Sequence, residues 1–198
     1  MLHTGGGRGR CEPLRCILAA AGVSFEQVFF TEATGKAELA KLRAAGVLTY
    51  DQVPLVEIDG LRLVQGTAPA NYLGMRLGLL PDDPKDSYCA QREYVASQDA
   101  RGPLLSYPFA EFPEAPSEQA TASRLAERMG PKGLLSRYAP RWEAMLLASG
   151  GPFLLGAKPS IADVGVFECC DYFSDVSSPN PCRGRTPALF AGGRASRE

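Results

Sequence analysis

The sequence predicts an α/β domain followed by an all-α domain, and three observations carry that prediction. A strand, helix, strand succession opens the chain, a hairpin with a two-residue Asp59-Gly60 turn follows it, and from Ser87 onward proline clusters separate helix-compatible stretches in which β-branched alternation is scarce. Leu2 to Thr4 forms a short strand stub. Glu12 to Gly22 reads as a helix because Pro13 suits a first turn, Leu14, Ile17, Leu18 and Ala21 share one face, and Gly22 suits a C-terminal cap. Phe25 to Phe30 is rich in β-formers and follows closely, so the first two strands are expected to run parallel across the helix.

Lys36 to Ala45 is helix-prone. Pro54 to Ile58 and Leu61 to Val64 flank Asp59-Gly60 as the two arms of the hairpin, and a helix from about Ala68 to Leu77 completes the unit. Leu80-Pro-Asp-Asp-Pro-Lys-Asp86 has the prolines and charges of an exposed linker. The expected division is therefore an α/β domain over 1–78, a linker over 79–86 and an all-helical domain over 87–176. Ser160 and Asp163 are spaced as a capping box with Asp in place of the usual Glu or Gln. From 177 to 198 the periodicity disappears, and Ser, Pro, Gly and Arg give the composition of an irregular solvated tail.

At 198 residues the chain is long enough to bury its cores without disulfide or metal staples. A net charge of −1 lacks the electrostatic footprint of a nucleic-acid binder or a polybasic membrane binder, which leaves small molecules or protein as partners. The six cysteines include no C-x-x-C pair and His3 is the one imidazole, so no metal site is expected. No apolar run approaches the roughly 20 residues that span a bilayer, and the opening residues lack a charged-then-apolar pattern, so no leader is expected. A cytoplasmic location with reduced cysteines is the expectation.

Arg8-Gly-Arg10, Leu18-Ala-Ala-Ala-Gly-Val23, Lys41-Leu-Arg43, Gln52-Val-Pro-Leu-Val-Glu-Ile-Asp-Gly60 and Leu63-Val-Gln65 together resemble the alpha-class glutathione transferases. Phe153-Leu-Leu-Gly-Ala-Lys-Pro-Ser-Ile-Ala-Asp163 is similar to the stretch before that family's sixth helix, so the resemblance covers about residues 2 to 175. It implies a thioredoxin-like N-terminal domain that binds glutathione as co-substrate, followed by an all-α domain that helps line the pocket for a small hydrophobic electrophile; the lost periodicity after Ser177 makes an abbreviated helical C-terminal domain the expectation here. It also implies a homodimer, with Tyr50 as an aromatic key inserted into the partner subunit, where a loop tyrosine covering the local core is the plainer reading.

The same resemblance implies site residues whose chemistry suits glutathione, a tripeptide with two carboxylates, one ammonium and a thiol. Arg43 falls where the family sets a cation on the glycyl carboxylate, for which a guanidinium offers two parallel donors. Taken alone, Arg43 is more simply an exposed helix arginine, and the surrounding motif reverses that reading. Gln52 and Val53 precede Pro54, whose peptide bond the resemblance makes cis, and the Val53 backbone is implied to pair with the cysteinyl peptide of glutathione. Gln65 is implied to bind the γ-glutamyl end beside a helix N-terminus. Gly66 stands where relatives usually carry serine or threonine, and so offers a backbone N–H without a hydroxyl. Thr67 is either a partial substitute for that hydroxyl or the N-cap of the next helix.

At the thiol, Thr4 falls where alpha-class enzymes have a catalytic tyrosine, and an aliphatic hydroxyl is both shorter and a weaker donor to thiolate than a phenol. Arg10 falls where the family supplies positive charge near the sulfur, beside a helix N-terminus. His3, on the opposite face of the strand from Thr4, is read as an incidental terminal residue. Cys11 could form a mixed disulfide with glutathione, but is more simply a structural cysteine. Cys169 and Cys170 read as core and surface neighbours on one helix. The activity expected is glutathione transfer to hydrophobic electrophiles in detoxification, with Thr4 and Arg10 as catalytic residues. Two other readings compete: a catalytically impaired glutathione- or lipophile-binding dimer, and a shortened product whose missing helices leave an apolar patch exposed.

Overall fold

The computed structural model describes residues 1–5, 8–30, 33–105 and 118–177. The chain divides into two compact units that separate between Leu77 and Gly78. The first unit runs β1 (Leu2–Gly5), α1 (Glu12–Ala20), β2 (Gln27–Phe30), α2 (Gly35–Ala44), β3 (Leu55–Ile58), β4 (Leu61–Leu63) and α3 (Thr67–Arg76). Its sheet has the order β2-β1-β3-β4, with β1 and β2 parallel and the other neighbours antiparallel. This is the expected α/β arrangement, with α1 as the crossover between the parallel strands.

Consecutive strand residues point to opposite faces, yet Leu2, His3 and Thr4 on β1 and Leu55 and Val56 on β3 are all buried, so the centre of the sheet is covered on both sides. α1 contributes Leu14, Ile17 and Leu18 and packs against α3, which contributes Ala70 and Leu73. Two helices end in the same way. The Val23 and Gly22 N–H groups return to Leu18 and Ala19 at the end of α1, and those of Val47 and Gly46 return to Leu42 and Arg43 at the end of α2. Gly22 and Gly46 take left-handed φ values of 67° and 64°, which a Cβ would resist.

His3 is not incidental: its Nε2 lies 2.9 Å from Glu57 Oε2, and it is only 9 % exposed. The strand pairing explains this, because β1 and β3 run antiparallel with His3 opposite Leu55, which brings Glu57 to the same face. At the hairpin tip, Asp59 and Gly60 both have positive φ, as a tight turn of this kind requires. The Asp59 carboxylate accepts hydrogen bonds from Tyr72 Oη at 3.1 Å and Arg76 Nε at 2.8 Å, which ties the turn to α3.

The second unit contains α4 (Pro84–Arg101), α5 (Glu118–Met129), α6 (Ala139–Ser149) and α7 (Ile161–Ser177), with a bridge between Phe153 and Gly156. The stretch expected as an exposed linker is in part structural. Leu79 and Leu80 are buried, the Leu79 carbonyl accepts from Ile161 N, and α4 begins at Pro84. Asp83 caps that helix by accepting from Lys85 N at 2.9 Å and Asp86 N at 3.1 Å, which is the ordinary use of Asp-Pro at a helix start.

α4 and α7 pack closely at Gly165 and share a buried ion pair, Arg101 Nε to Glu168 Oε2 at 2.8 Å. The capping box at Ser160 and Asp163 forms: Asp163 Oδ2 accepts from the Ser160 backbone and hydroxyl, both at 2.8 Å, and Asp163 Oδ1 accepts from Leu154 N at 2.7 Å. Cys169 is buried and Cys170 exposed, and burial pushes the Cys169 thiol up to about 12. Residues 178–198, most of the stretch expected as an irregular tail, lie outside the described residues. No helix among the described residues is long and apolar enough to cross a membrane.

Candidate functional site

Strand register brings most of the expected site residues to one end of the first unit's sheet. β1 pairs β3 with Leu2 opposite Val56 and His3 opposite Leu55. Thr4 and Gly5 are the next residues of β1, and Val53 and Pro54 immediately precede β3. β3 pairs β4 with Val56 opposite Leu63, and Gln65 follows the end of β4 by two residues. Thr4, Val53 and Gln65, distant in sequence, therefore come from three adjacent strand ends.

The segment entering β3 carries several expected groups. The Val53–Pro54 peptide bond is cis, as the resemblance implies. Gln52 is exposed, Val53 half-buried and Pro54 buried. Arg43, in the last turn of α2, lies against this segment: its Nε and Nη2 both donate to the Asp51 carbonyl oxygen, at 3.2 and 2.8 Å. The Asp51 side chain adds a looser contact, with Oδ1 3.9 Å from Nε. Asp51 was not among the expected site residues. The available signal was its residue type, since Asp tolerates the left-handed backbone that it adopts here, with φ 56°.

At the exit of β4, Gln65 also has a left-handed backbone, with φ 71°, and is exposed. Gly66 is the N-cap of α3 and Thr67 its first residue, so Thr67 is not the cap. No side chain caps this N-terminus and its first turn holds no acidic residue. Its backbone N–H groups and dipole therefore suit a carboxylate from outside the chain. A Cβ built on Gly66 would meet nothing within 4 Å, so the absent hydroxyl reflects residue type and not lack of room.

Thr4 and Arg10 are placed differently from each other. Thr4 is buried, at 5 % exposure, and its side chain hydrogen-bonds with Cys11. Burial pushes the Cys11 thiol up; the Arg15 charge and the Thr4 hydrogen bond oppose this without reversing it. Cys11 is 1 % exposed. Both properties are those of a structural cysteine, against the lowered pKa that a mixed-disulfide role would need. Arg10 is exposed in the short 3-10 helix Gly9–Cys11 that leads into α1. Tyr50 is 61 % exposed in the turn before Asp51. Among the described residues no group of three or more His, Cys, Asp or Glu could hold a metal ion.

Comparisons with known proteins show what the chain is similar to. Residues 2–75 match the family described as glutathione S-transferase, N-terminal domain, and residues 99–192 match glutathione S-transferase, C-terminal domain. The chain is 37 % identical over 168 residues to glutathione S-transferase alpha-5 of Rattus norvegicus, covering 85 % of this chain and 71 % of that protein. It is 36 % identical over 177 residues to glutathione S-transferase A3 of Homo sapiens, covering 89 % of this chain and 75 % of that protein. The crystal structure of the glutathione S-transferase from Ascaris lumbricoides shares its fold, with a TM-score of 0.69 at 21 % identity over 97 % of this chain and 84 % of that one.

Proposed function

The chain belongs to the glutathione S-transferase family, and from that membership we propose that it binds reduced glutathione at the sheet end carrying Thr4, Val53 and Gln65 and conjugates the thiolate to small hydrophobic electrophiles. In this reading Arg43 holds the glycyl carboxylate, Gln52 and the Val53 backbone hold the cysteinyl peptide, and Gln65 with the N–H groups of Gly66 and Thr67 holds the γ-glutamyl carboxylate. The protein acts as a cytoplasmic homodimer with a detoxifying role. The observation that carries the proposal is the uncapped, acid-free N-terminus of α3, which follows the end of β4 that lies beside the start of β3, where Val53 enters.

Catalysis rests on position and thiolate stabilisation, because the co-substrate brings its own nucleophile. Each unit by which a site lowers the thiol pKa corresponds to about 1.4 kcal/mol of preference for thiolate. Arg10 supplies positive charge to that end. Thr4 contributes little, because its hydroxyl is short, buried and already bonded with Cys11. Slow conjugation is therefore expected.

Calorimetric binding of glutathione together with single-turnover conjugation to an aryl halide tests this, using the parent chain and Thr4→Tyr. The expected result is binding by both proteins, slow turnover by the parent and a rate increase of about tenfold or more in Thr4→Tyr as a phenol reaches the sulfur. Binding with no turnover in the parent would favour the impaired glutathione- or lipophile-binding dimer. Absence of glutathione binding would remove the proposal.

A further inference from the structure

Arg43 alone is an exposed side chain on a helix end, and a long flexible guanidinium reads a carboxylate well only if its fork is held in place. Here it is held from one side. Nε and Nη2 converge on a single acceptor, the main-chain oxygen of Asp51. That uses one edge of the guanidinium and leaves the Nη1 and second Nη2 hydrogens as a planar fork for a carboxylate.

The acceptor is itself fixed. Asp51 N donates to the Leu48 carbonyl at 3.1 Å, Leu48 is buried, and the left-handed φ of 56° at Asp51 turns its own carbonyl back toward α2. At the other end, the capped terminus at Gly46 holds the helix that carries Arg43. The Asp51 carboxylate is 3.9 Å from Nε and 70 % exposed, so it adds little. What matters at position 51 is the backbone conformation.

We propose that Asp51 is a positioning residue for glycyl-carboxylate recognition: its left-handed backbone presents the carbonyl that orients Arg43. The proposal rests on the reading of Arg43 as the ligand of that carboxylate. It makes position 51 a determinant of specificity for the free C-terminal acid over neutral derivatives, through a residue that need not touch the ligand.

Two variants separate backbone from charge. Asp51→Val and Asp51→Gly both remove the carboxylate, but a β-branched residue disfavours positive φ and glycine accepts it. The measurement is calorimetric affinity for reduced glutathione and for its glycine methyl ester, in the full chain, for the parent, both Asp51 variants and Arg43→Ala. The parent is expected to prefer the free acid by about tenfold or more, the scale of hydrogen bonds to a charged group. Asp51→Val is expected to lose most of that preference while keeping its ester affinity within about twofold of the parent, and Asp51→Gly to recover most of it. Unchanged preference in Asp51→Val overturns the proposal. So does an equal loss for both ligands, which marks general structural damage, and so does a Gly variant as poor as Val. If Arg43→Ala keeps the preference, the underlying reading of Arg43 fails. If Arg43→Ala abolishes the preference and Asp51→Val retains it, only the inference about Asp51 fails.

Discussion

Thr4 and His3 are neighbours on β1 and show how one strand sends two side chains to different tasks. Thr4 turns to Cys11, whereas His3 turns to the other face and meets Glu57. The hydrogen bond from His3 holds the Glu57 carboxyl below its ordinary value of 4.5; burial opposes it, and the charges of His3, Arg62 and the N-terminus reinforce it. A carboxyl with a depressed folded-state pKa stabilises the fold above its unfolded pKa, and that contribution is lost as pH falls through the folded value. Glu57→Gln is therefore expected to be less stable than the parent at neutral pH. The group is partly exposed, so the gap is about 1 kcal/mol or less. Urea unfolding across a pH series should show the gap closing as pH falls through 4.5 and below, and a pH-independent gap would contradict the linkage.

At the scale of elements, α4 and α7 pack against each other, and Gly165 of α7 lies close against α4. A Cβ there would lie 2.6 Å from Ser97 Oγ and 2.8 Å from Tyr94 Cδ2, both on buried residues of α4. Two effects oppose each other in Gly165→Ala. Helix propensity favours alanine by about 1 kcal/mol, and overpacking of a tight contact costs about 1–3 kcal/mol. Ser97 is held by its hydrogen bond to the Tyr94 carbonyl at 2.6 Å, and Tyr94 is 2 % exposed, so neither yields freely. Overpacking is expected to win, with a net loss of about 1 kcal/mol in chemical denaturation; a stabilised variant would show that the two helices separate easily.

At the scale of the whole molecule, family membership directs attention to assembly. Tyr50 is an aromatic side chain left 61 % exposed in a turn that follows buried Leu48, and an exposed aromatic suits an interface anchor. If it is the dimer key, Tyr50→Ala weakens dimerisation by about 2 kcal/mol or more, the scale of an interface hot spot. Sedimentation equilibrium would then show monomer at concentrations where the parent is dimeric, and an unchanged association constant would exclude Tyr50 as the key.

Local pattern carried much of the architecture. The Asp-Gly turn, the Gly22 cap, Pro13 at a helix start and the Ser160–Asp163 box each act within a few residues, so the chain's own chemistry determined them. Extended motif runs carried the family in the same way, along with the cis bond before Pro54. Contacts between distant segments were not legible. The His3–Glu57 pair depends on β1–β3 register, the Thr4–Cys11 bond on how the chain re-enters α1, and the Arg43–Asp51 contact on a left-handed residue that composition alone does not reveal. Short-range propensity selects turns, caps and periodicity, whereas the partner of a buried or orienting polar group is decided only when sheet pairing and burial bring separated segments together.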